Sequence, residues 1–167
     1  MNETRGVLCL SESPLPAQRG GGVETAFLAL DGNRNWLPQA QTALWELRRR
    51  CGWVCVAADR VGAGVAAALA AQLPVDRLAL AGSRLFDRCG PRLQGQAARL
   101  ERFARRNLAL VISEIILVDA SDREIRGFAN LMGRRRVCAL ETYRENFLTA
   151  AWAEVNENNL LISGKCV

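Results

Sequence analysis

One pattern constrains this chain more than any other. Short, mostly apolar runs alternate with longer stretches whose apolar residues recur at helical spacing. The runs are Thr25 to Leu30, Trp53 to Ala58, Arg77 to Ala81, Ile115 to Asp119 and Arg136 to Leu140. Between them, Leu37, Ala40, Ala43, Leu44 and Leu47 share one helical face, and Gly62 to Leu73 is an Ala-rich helix. A third helix carries Leu93, Ala97, Leu100, Ala104, Leu108 and Val111 on one side, and a fourth turns Ile125, Phe128, Ala129 and Met132 inward. Strands that are apolar on both faces must be covered on both faces, which is the signature of a parallel sheet. Right-handed crossovers then leave few topologies. The expected fold is α/β, a Rossmann-like three-layer sandwich with a mostly parallel sheet of about five to seven strands.

Local signals set the element ends. Gly52 closes the first helix, and Arg48, Arg49 and Arg50 in its last turn suit the helix dipole. Pro74 stops the Ala-rich helix. Ser121-Asp122-Arg123-Glu124 fits a capping box with Glu124 reaching back to the N-cap. Thr142-Tyr143-Arg144-Glu145 fits another, opening a helix to about Glu157, and Leu160 to Ser163 reads as a last short strand. Residues 1–24 hold an apolar stretch, Val7 to Leu10, then Pro14, Pro16 and Gly20 to Gly22. They read as an N-terminal strand or arm followed by a Gly-rich loop. Residues 25–167 are expected to form a single Rossmann-like domain, because neither a break in composition nor an internal repeat divides them.

A length of 167 residues supports one full core. Histidine is absent, so this sequence holds no His-based triad, no His general base and no His-ligated metal. Lys165, the sole lysine, is poorly placed for Schiff-base chemistry. Six cysteines lie mostly in apolar segments, where free thiols act as small hydrophobes. Cys51 and Cys55 form a CxxxC pair with no second pair at zinc-site spacing, so neither a metal nor a cofactor is expected. No apolar stretch approaches the roughly 20 residues of a membrane span. The Val7 to Leu10 patch is short for a signal peptide, and reduced cysteines suit a cytoplasmic location.

In parallel sheets ligands bind beyond the carboxyl ends of the strands. The residues leaving those ends are small residues, acids and arginines. Gly32, Asn33 and Arg34 follow the first apolar run, and Arg60, Gly62 and Gly64 follow the second. Ser83 and Arg84 follow the third, and Asp119 and Ser121 the fourth. Glycine lets a backbone approach a ligand, helix N-termini favour anions, and arginine holds phosphate bidentately. These are the candidate phosphate-binding residues, and no catalytic residue is assigned. The competing account is that the glycines serve turns and the Arg and Asp side chains pair at the surface. Known motifs do not fit. Gly62-Ala63-Gly64 has Ala67 where GxGxxG needs glycine, and there is no GxxxxGK[ST]. The phrase around Arg60 sits where an α/β-hydrolase carries its nucleophile elbow. It has Arg in place of Ser and no histidine follows, which excludes that hydrolase chemistry.

Three segments resemble the DNA-processing DprA/Smf family and, more broadly, the Rossmann-like SLOG superfamily. Leu28-Ala29-Leu30-Asp31-Gly32-Asn33-Arg34 is similar to the family's first strand with its Gly-Ser-Arg ending. Cys51 to Leu69 is similar to its second strand, glycine turn and Ala-rich helix. Phe103-Ala104-Arg105-Arg106-Asn107, then Ser113 and Leu117-Val118-Asp119-Ala120, is similar to its phrase of Phe, Arg-Asn, Ser and a strand ending in acid-Ala. The likeness spans about residues 25–141, and it adds Arg106 and Asn107 to the candidate site. The chain departs from the family at Ala57-Ala58, Gly64, Ala68 and Asp122-Arg123-Glu124.

The resemblance, the net charge of +5 and the arginine-rich segments favour a non-enzymatic protein that binds a nucleotide or single-stranded nucleic acid such as single-stranded DNA. One alternative is a small-molecule sensor or enzyme acting on nucleotides or sugar phosphates at the strand ends. Another is an inactive relative that self-associates as a homodimer through its tail, Leu160 to Val167, and exposed tryptophans such as Trp36. No membrane partner is expected.

Overall fold

The computed structural model of the chain describes residues 4–12, 23–31, 35–86, 95–107, 114–132 and 136–140. Ten elements follow in order: β1 (Arg5–Ser11), β2 (Val23–Ala29), α1 (Trp36–Arg48), β3 (Trp53–Asp59) and α2 (Val61–Ala70). Then come β4 (Arg77–Ala81), α3 (Gly95–Asn107), β5 (Glu114–Val118), α4 (Asp122–Met132) and β6 (Arg136–Leu140). The strands form one six-stranded sheet in the order β2-β1-β3-β4-β5-β6, and every described pairing is parallel. This is the expected α/β class.

The chain steps one way from β1 to β2 and the other way from β2 onward. Right-handed crossovers therefore put α1 to α4 on one face of the sheet. Burial agrees. Leu8, Leu10, Val54, Val56, Leu78, Leu80, Ile115 and Leu117 share one core with Leu44 and Leu47 of α1, Ala104 of α3 and Phe128 of α4. On the other face Val7, Cys9, Cys55, Ala57, Ala79, Ile116 and Val118 form a second buried cluster, rich in small residues. The helix expected over about 142–157 and the strand expected over 160–163 lie outside the described residues.

Two placements differ from expectation. Of the two readings of the N-terminal segment, strand or arm, Arg5–Ser11 is a strand, and it belongs to the sheet: β1 pairs on both sides, with β2 and β3. Val7, Leu8 and Leu10 are fully buried, so four consecutive apolar residues mark an interior strand. A boundary between residues 24 and 25 falls inside β2. Conversely, among the described strands β2 lies at the edge, and its residues alternate between half-buried and exposed, with Phe27 42% exposed. Its run is apolar, but β1 occupies the interior place beside β3.

Helix α2 is apolar all round, and Gly62 to Ala70 are all buried. Such a helix is stable only when covered on every side. Its Ala and Gly residues let the sheet and α3 come close. At the amino ends of the strands, Arg77 pairs with Glu114 at 3.0 Å and lies 5.2 Å from the Trp53 ring, which Arg5 flanks at 5.5 Å. Asp76 accepts the Val54 N–H at 2.8 Å and pairs with Arg48 at 3.1 Å. At that edge the two acids each pair with an arginine. The carboxyl ends of the strands are arranged differently.

Candidate functional site

The sheet order reverses between β1 and β3, and open α/β sheets bind ligands at such a switch point. Arg60 stands there, between the end of β3 and the start of α2. Its backbone has φ 47 and ψ −114, outside the regions L-residues ordinarily occupy. Main-chain contacts hold it. The Arg60 N–H donates to the Ala81 carbonyl at 3.1 Å, and the Arg60 carbonyl accepts from the Ala63 N–H at 3.1 Å. Gly62 presses against the Leu10 carbonyl of β1, where a Cβ has no room, and an added Cβ also stands 3.3 Å from the Ala58 side chain. The strand therefore turns into the helix within one residue. The Arg60 side chain makes no capping hydrogen bond and is exposed.

The neighbouring strands end alike. Asp59 pairs with Ala81 and Ala81 with Val118, so the next residues, Arg60, Gly82 and Asp119, stand side by side. All three have positive φ: 47, 59 and 51. The Gly82 N–H donates to the Val118 carbonyl at 2.9 Å, which continues the ladder past the strands. Asp119 is exposed. Its left-handed backbone is less strained than that of Arg60, because Asp enters that region more readily.

Glu124 departs furthest from its expected role. The capping box is half-formed: the Ser121 Oγ accepts the Glu124 N–H at 3.1 Å. The Glu124 carboxylate, expected to return to the N-cap, instead crosses to the loop after β4. It accepts from Ser83 Oγ at 2.7 Å, Leu85 N at 2.8 Å and Phe86 N at 2.8 Å, and it is fully buried. Three donors compensate its desolvation. The Phe86 ring packs edge-on against Phe128 with centroids 5.0 Å apart. Ser-x-x-Glu is visible in the sequence; the partner loop, some forty positions earlier, is not.

The predicted site residues therefore divide. Arg60, Arg84, Asp119 and Ser121 are exposed at or beside the carboxyl edge. Gly62 and Gly64 are buried in α2, and Ser83 is buried on Glu124. The side of Gly62 packs on β1, and the Ser83 hydroxyl is engaged by the Glu124 carboxylate. Gly32, Asn33 and Arg34 lie outside the described residues. Arg106 and Asn107 are not brought to this edge. Between the parallel strands β4 and β5 the chain must return to the amino edge, and they end the helix that makes the return. Asn107 Nδ2 donates to the Phe103 carbonyl at 2.8 Å, closing its own last turn.

Charge and burial act on several groups. Burial, then the Asp59 charge, pushes the Cys9 thiol up to about 12. Burial raises the Cys55 thiol as well. On α3, burial raises the Glu101 carboxyl and the nearby Arg105 opposes it. Among the described residues no three His, Cys, Asp or Glu side chains gather as a metal site, and no helix is long and apolar enough to cross a membrane.

A strand, a one-residue strained turn and a tightly packed helix are the parts of a nucleophile elbow. Ala58-Asp59-Arg60-Val61-Gly62 lies where its Gly-x-Ser-x-Gly would, matching only the last glycine, with Ala58 for the first and Arg60 at the nucleophile's place. The fold is shared with a solved structure described as belonging to LipS and LipT, two metagenome-derived lipolytic enzymes. The TM-score is 0.54 at 14% identity, covering 87% of this chain and 87% of that one. No protein-family model and no curated protein matches the chain.

Proposed function

We propose that this protein is a non-enzymatic binding protein that takes a phosphate-bearing ligand of nucleotide type at the carboxyl edge of its sheet. The observation that carries this reading is Arg60. Its strained turn lifts a guanidinium free of the fold at the switch point, beside the N-terminus of α2. Both features attract anions. Backbone strain of this kind persists where function uses it. Hydrolysis by a Ser-His-acid set lacks two of its three members in this chain, the serine at the elbow and any histidine, which supports binding over turnover. Calorimetric titration with adenosine monophosphate, adenosine triphosphate and inorganic phosphate tests the reading. Arg60→Ala is expected to weaken binding by roughly ten- to hundredfold, the worth of a hydrogen bond to a charged group. Absence of binding at millimolar ligand, or binding indifferent to Arg60→Ala, refutes it.

A second reading, single-stranded nucleic acid as ligand, is favoured by α3. Arg99, Arg102, Phe103 and Arg106 fall on one helical face, all exposed, with Phe103 36% exposed. Arginines interleaved with an aromatic suit phosphates and stacked bases. A labelled thymidine oligonucleotide bound with a steep salt dependence, lost in Arg102→Ala/Arg106→Ala, is the expected result; a flat salt response refutes it. The free, buried thiols of Cys9, Cys51 and Cys55 support a reducing compartment, hence a cytoplasmic location.

A further inference from the structure

Arg60, Gly82 and Asp119 end three adjacent strands in register. Strands lie about 4.8 Å apart, so the Arg60 and Asp119 backbones stand about 10 Å apart with Gly82 between them. A Cβ added at Gly82 meets no atom within 4 Å. Gly82 therefore leaves open space at a strand end flanked on the neighbouring strands by an exposed cation and an exposed anion, a notch in the row of side chains. Among the described residues neither Arg60 nor Asp119 joins an ion pair. A salt bridge across the notch is thus not what these charges serve.

From this juxtaposition we infer the ligand's chemical class: a phosphorylated sugar with a vicinal diol, bound with its phosphate on Arg60 and its diol on Asp119. The inference rests on the phosphate-binding reading above. A carboxylate accepts hydrogen bonds and donates none, so Asp119 needs a partner with O–H or N–H groups. A ligand that is phosphate throughout brings only negative charge to Asp119 and is repelled there. A ligand whose anion lies at one end, with paired hydroxyls a few bonds away, satisfies both sides. The diol spans both carboxylate oxygens, as a carboxylate takes any two-pronged donor. The short, left-handed Asp119 holds its acceptor close to the strand end, whereas Arg60 is long enough to follow the phosphate. The ribose phosphate unit has this chemistry, free or within a nucleotide.

The test compares ligands that differ in one group. Ribose 5-phosphate, adenosine monophosphate, its 2′,3′-dideoxy analogue and inorganic phosphate are titrated into the wild-type chain, Asp119→Asn, Asp119→Gly and Arg60→Ala. Glycine tolerates the Asp119 backbone, so at least one variant stays folded. The wild type is expected to prefer adenosine monophosphate over the dideoxy analogue by roughly tenfold or more. Both Asp119 variants are expected to reduce that preference to about twofold and to bind the dideoxy analogue as well as the wild type or better, since a repelling charge is gone. Arg60→Ala weakens all four ligands. Comparable binding of ribose 5-phosphate and adenosine monophosphate supports the sugar phosphate as the whole determinant; tighter binding of the nucleotide supports it with the base added. Phosphate binding without diol preference, or with a preference that survives in the Asp119 variants, overturns this inference and leaves the phosphate reading standing. Failure of every phosphate compound to bind overturns both.

Discussion

Replacing Arg60 with glycine removes the guanidinium placed on the ligand and also relieves the backbone that displays it. The two consequences have opposite signs. A residue held in such a φ/ψ region costs about 1–3 kcal/mol. Glycine adopts it freely but loses about 0.4–1 kcal/mol more chain entropy on folding than other residues. The hydrogen bonds of this turn run through main-chain atoms, Arg60 N to Ala81 O and Ala63 N to Arg60 O, and glycine keeps them. No side-chain cap is lost, because Arg60 makes none. The net expectation is a stabilisation of about 0.5–2 kcal/mol. For a chain of this size that is a rise in Tm of roughly 2–6 °C.

Arg60→Ala is the control. It deletes the guanidinium but keeps a Cβ, so the strain stays. Thermal and urea unfolding of the wild type, Arg60→Ala and Arg60→Gly therefore separate the side chain from the backbone. Glycine is expected to exceed alanine by about 0.5–2 kcal/mol, with phosphate binding weakened in both. If alanine is as stable as glycine, or glycine is less stable than the wild type, the turn stores no strain. Function is then no reason for the backbone found at Arg60.

Three more outcomes follow from the same geometry. Glu124→Ala strands three buried donors, at Ser83, Leu85 and Phe86, and is expected to lower stability by about 3–5 kcal/mol, read from the urea midpoint; a loss under about 1 kcal/mol means water replaces the clamp. Arg60→Ser rebuilds a serine elbow without a histidine, so hydrolysis of a p-nitrophenyl ester should stay at background; turnover accompanied by acylation of the introduced serine would expose a base not recognised in this chain. Cys9, with its ordinary value of 9.0 raised to about 12, holds its proton more tightly folded than unfolded. Its contribution is therefore complete below pH 9 and is lost as pH rises toward 12, at about 1.4 kcal/mol per pH unit. Urea midpoints measured from about pH 8 to 11 should fall in the wild type and fall less in Cys9→Ala.

The parts of the fold legible in the sequence are those set by local pattern. The runs at Trp53, Arg77, Ile115 and Arg136 are β3, β4, β5 and β6, and the helical spacings are α1 to α4. What the sequence hides is order in space. Val7 to Leu10 and Thr25 to Leu30 are both apolar runs, and nothing local says that the first lies inside the sheet and the second at its edge. That choice belongs to strand pairing between distant residues. The site divides in the same way. Placing Arg60, Asp119 and Arg84 near one edge needs only the rule that strand ends carry ligands. The roles of Ser83 and Glu124 need a contact between loop and helix that spacing does not encode. A resemblance in sequence draws in Arg106 and Asn107, and the return path between parallel strands takes them away.

The likeness to the lipolytic enzymes is one of fold, and the same division applies to the turn at Arg60. Everything that shapes the Arg60 turn comes from elsewhere: the Ala81 carbonyl, the Leu10 carbonyl that only a glycine at position 62 can approach, and the buried helix α2 behind it. The side chain at position 60 contributes nothing to that geometry, so the fold leaves its chemistry open. With serine and a histidine partner such a turn displays a nucleophile. With arginine it displays a cation beside a helix N-terminus, and two strands away Asp119 has no ion-pair partner among the described residues. A turn of this shape thus does not by itself fix a chemistry, because the turn and any reaction at it depend on different residues.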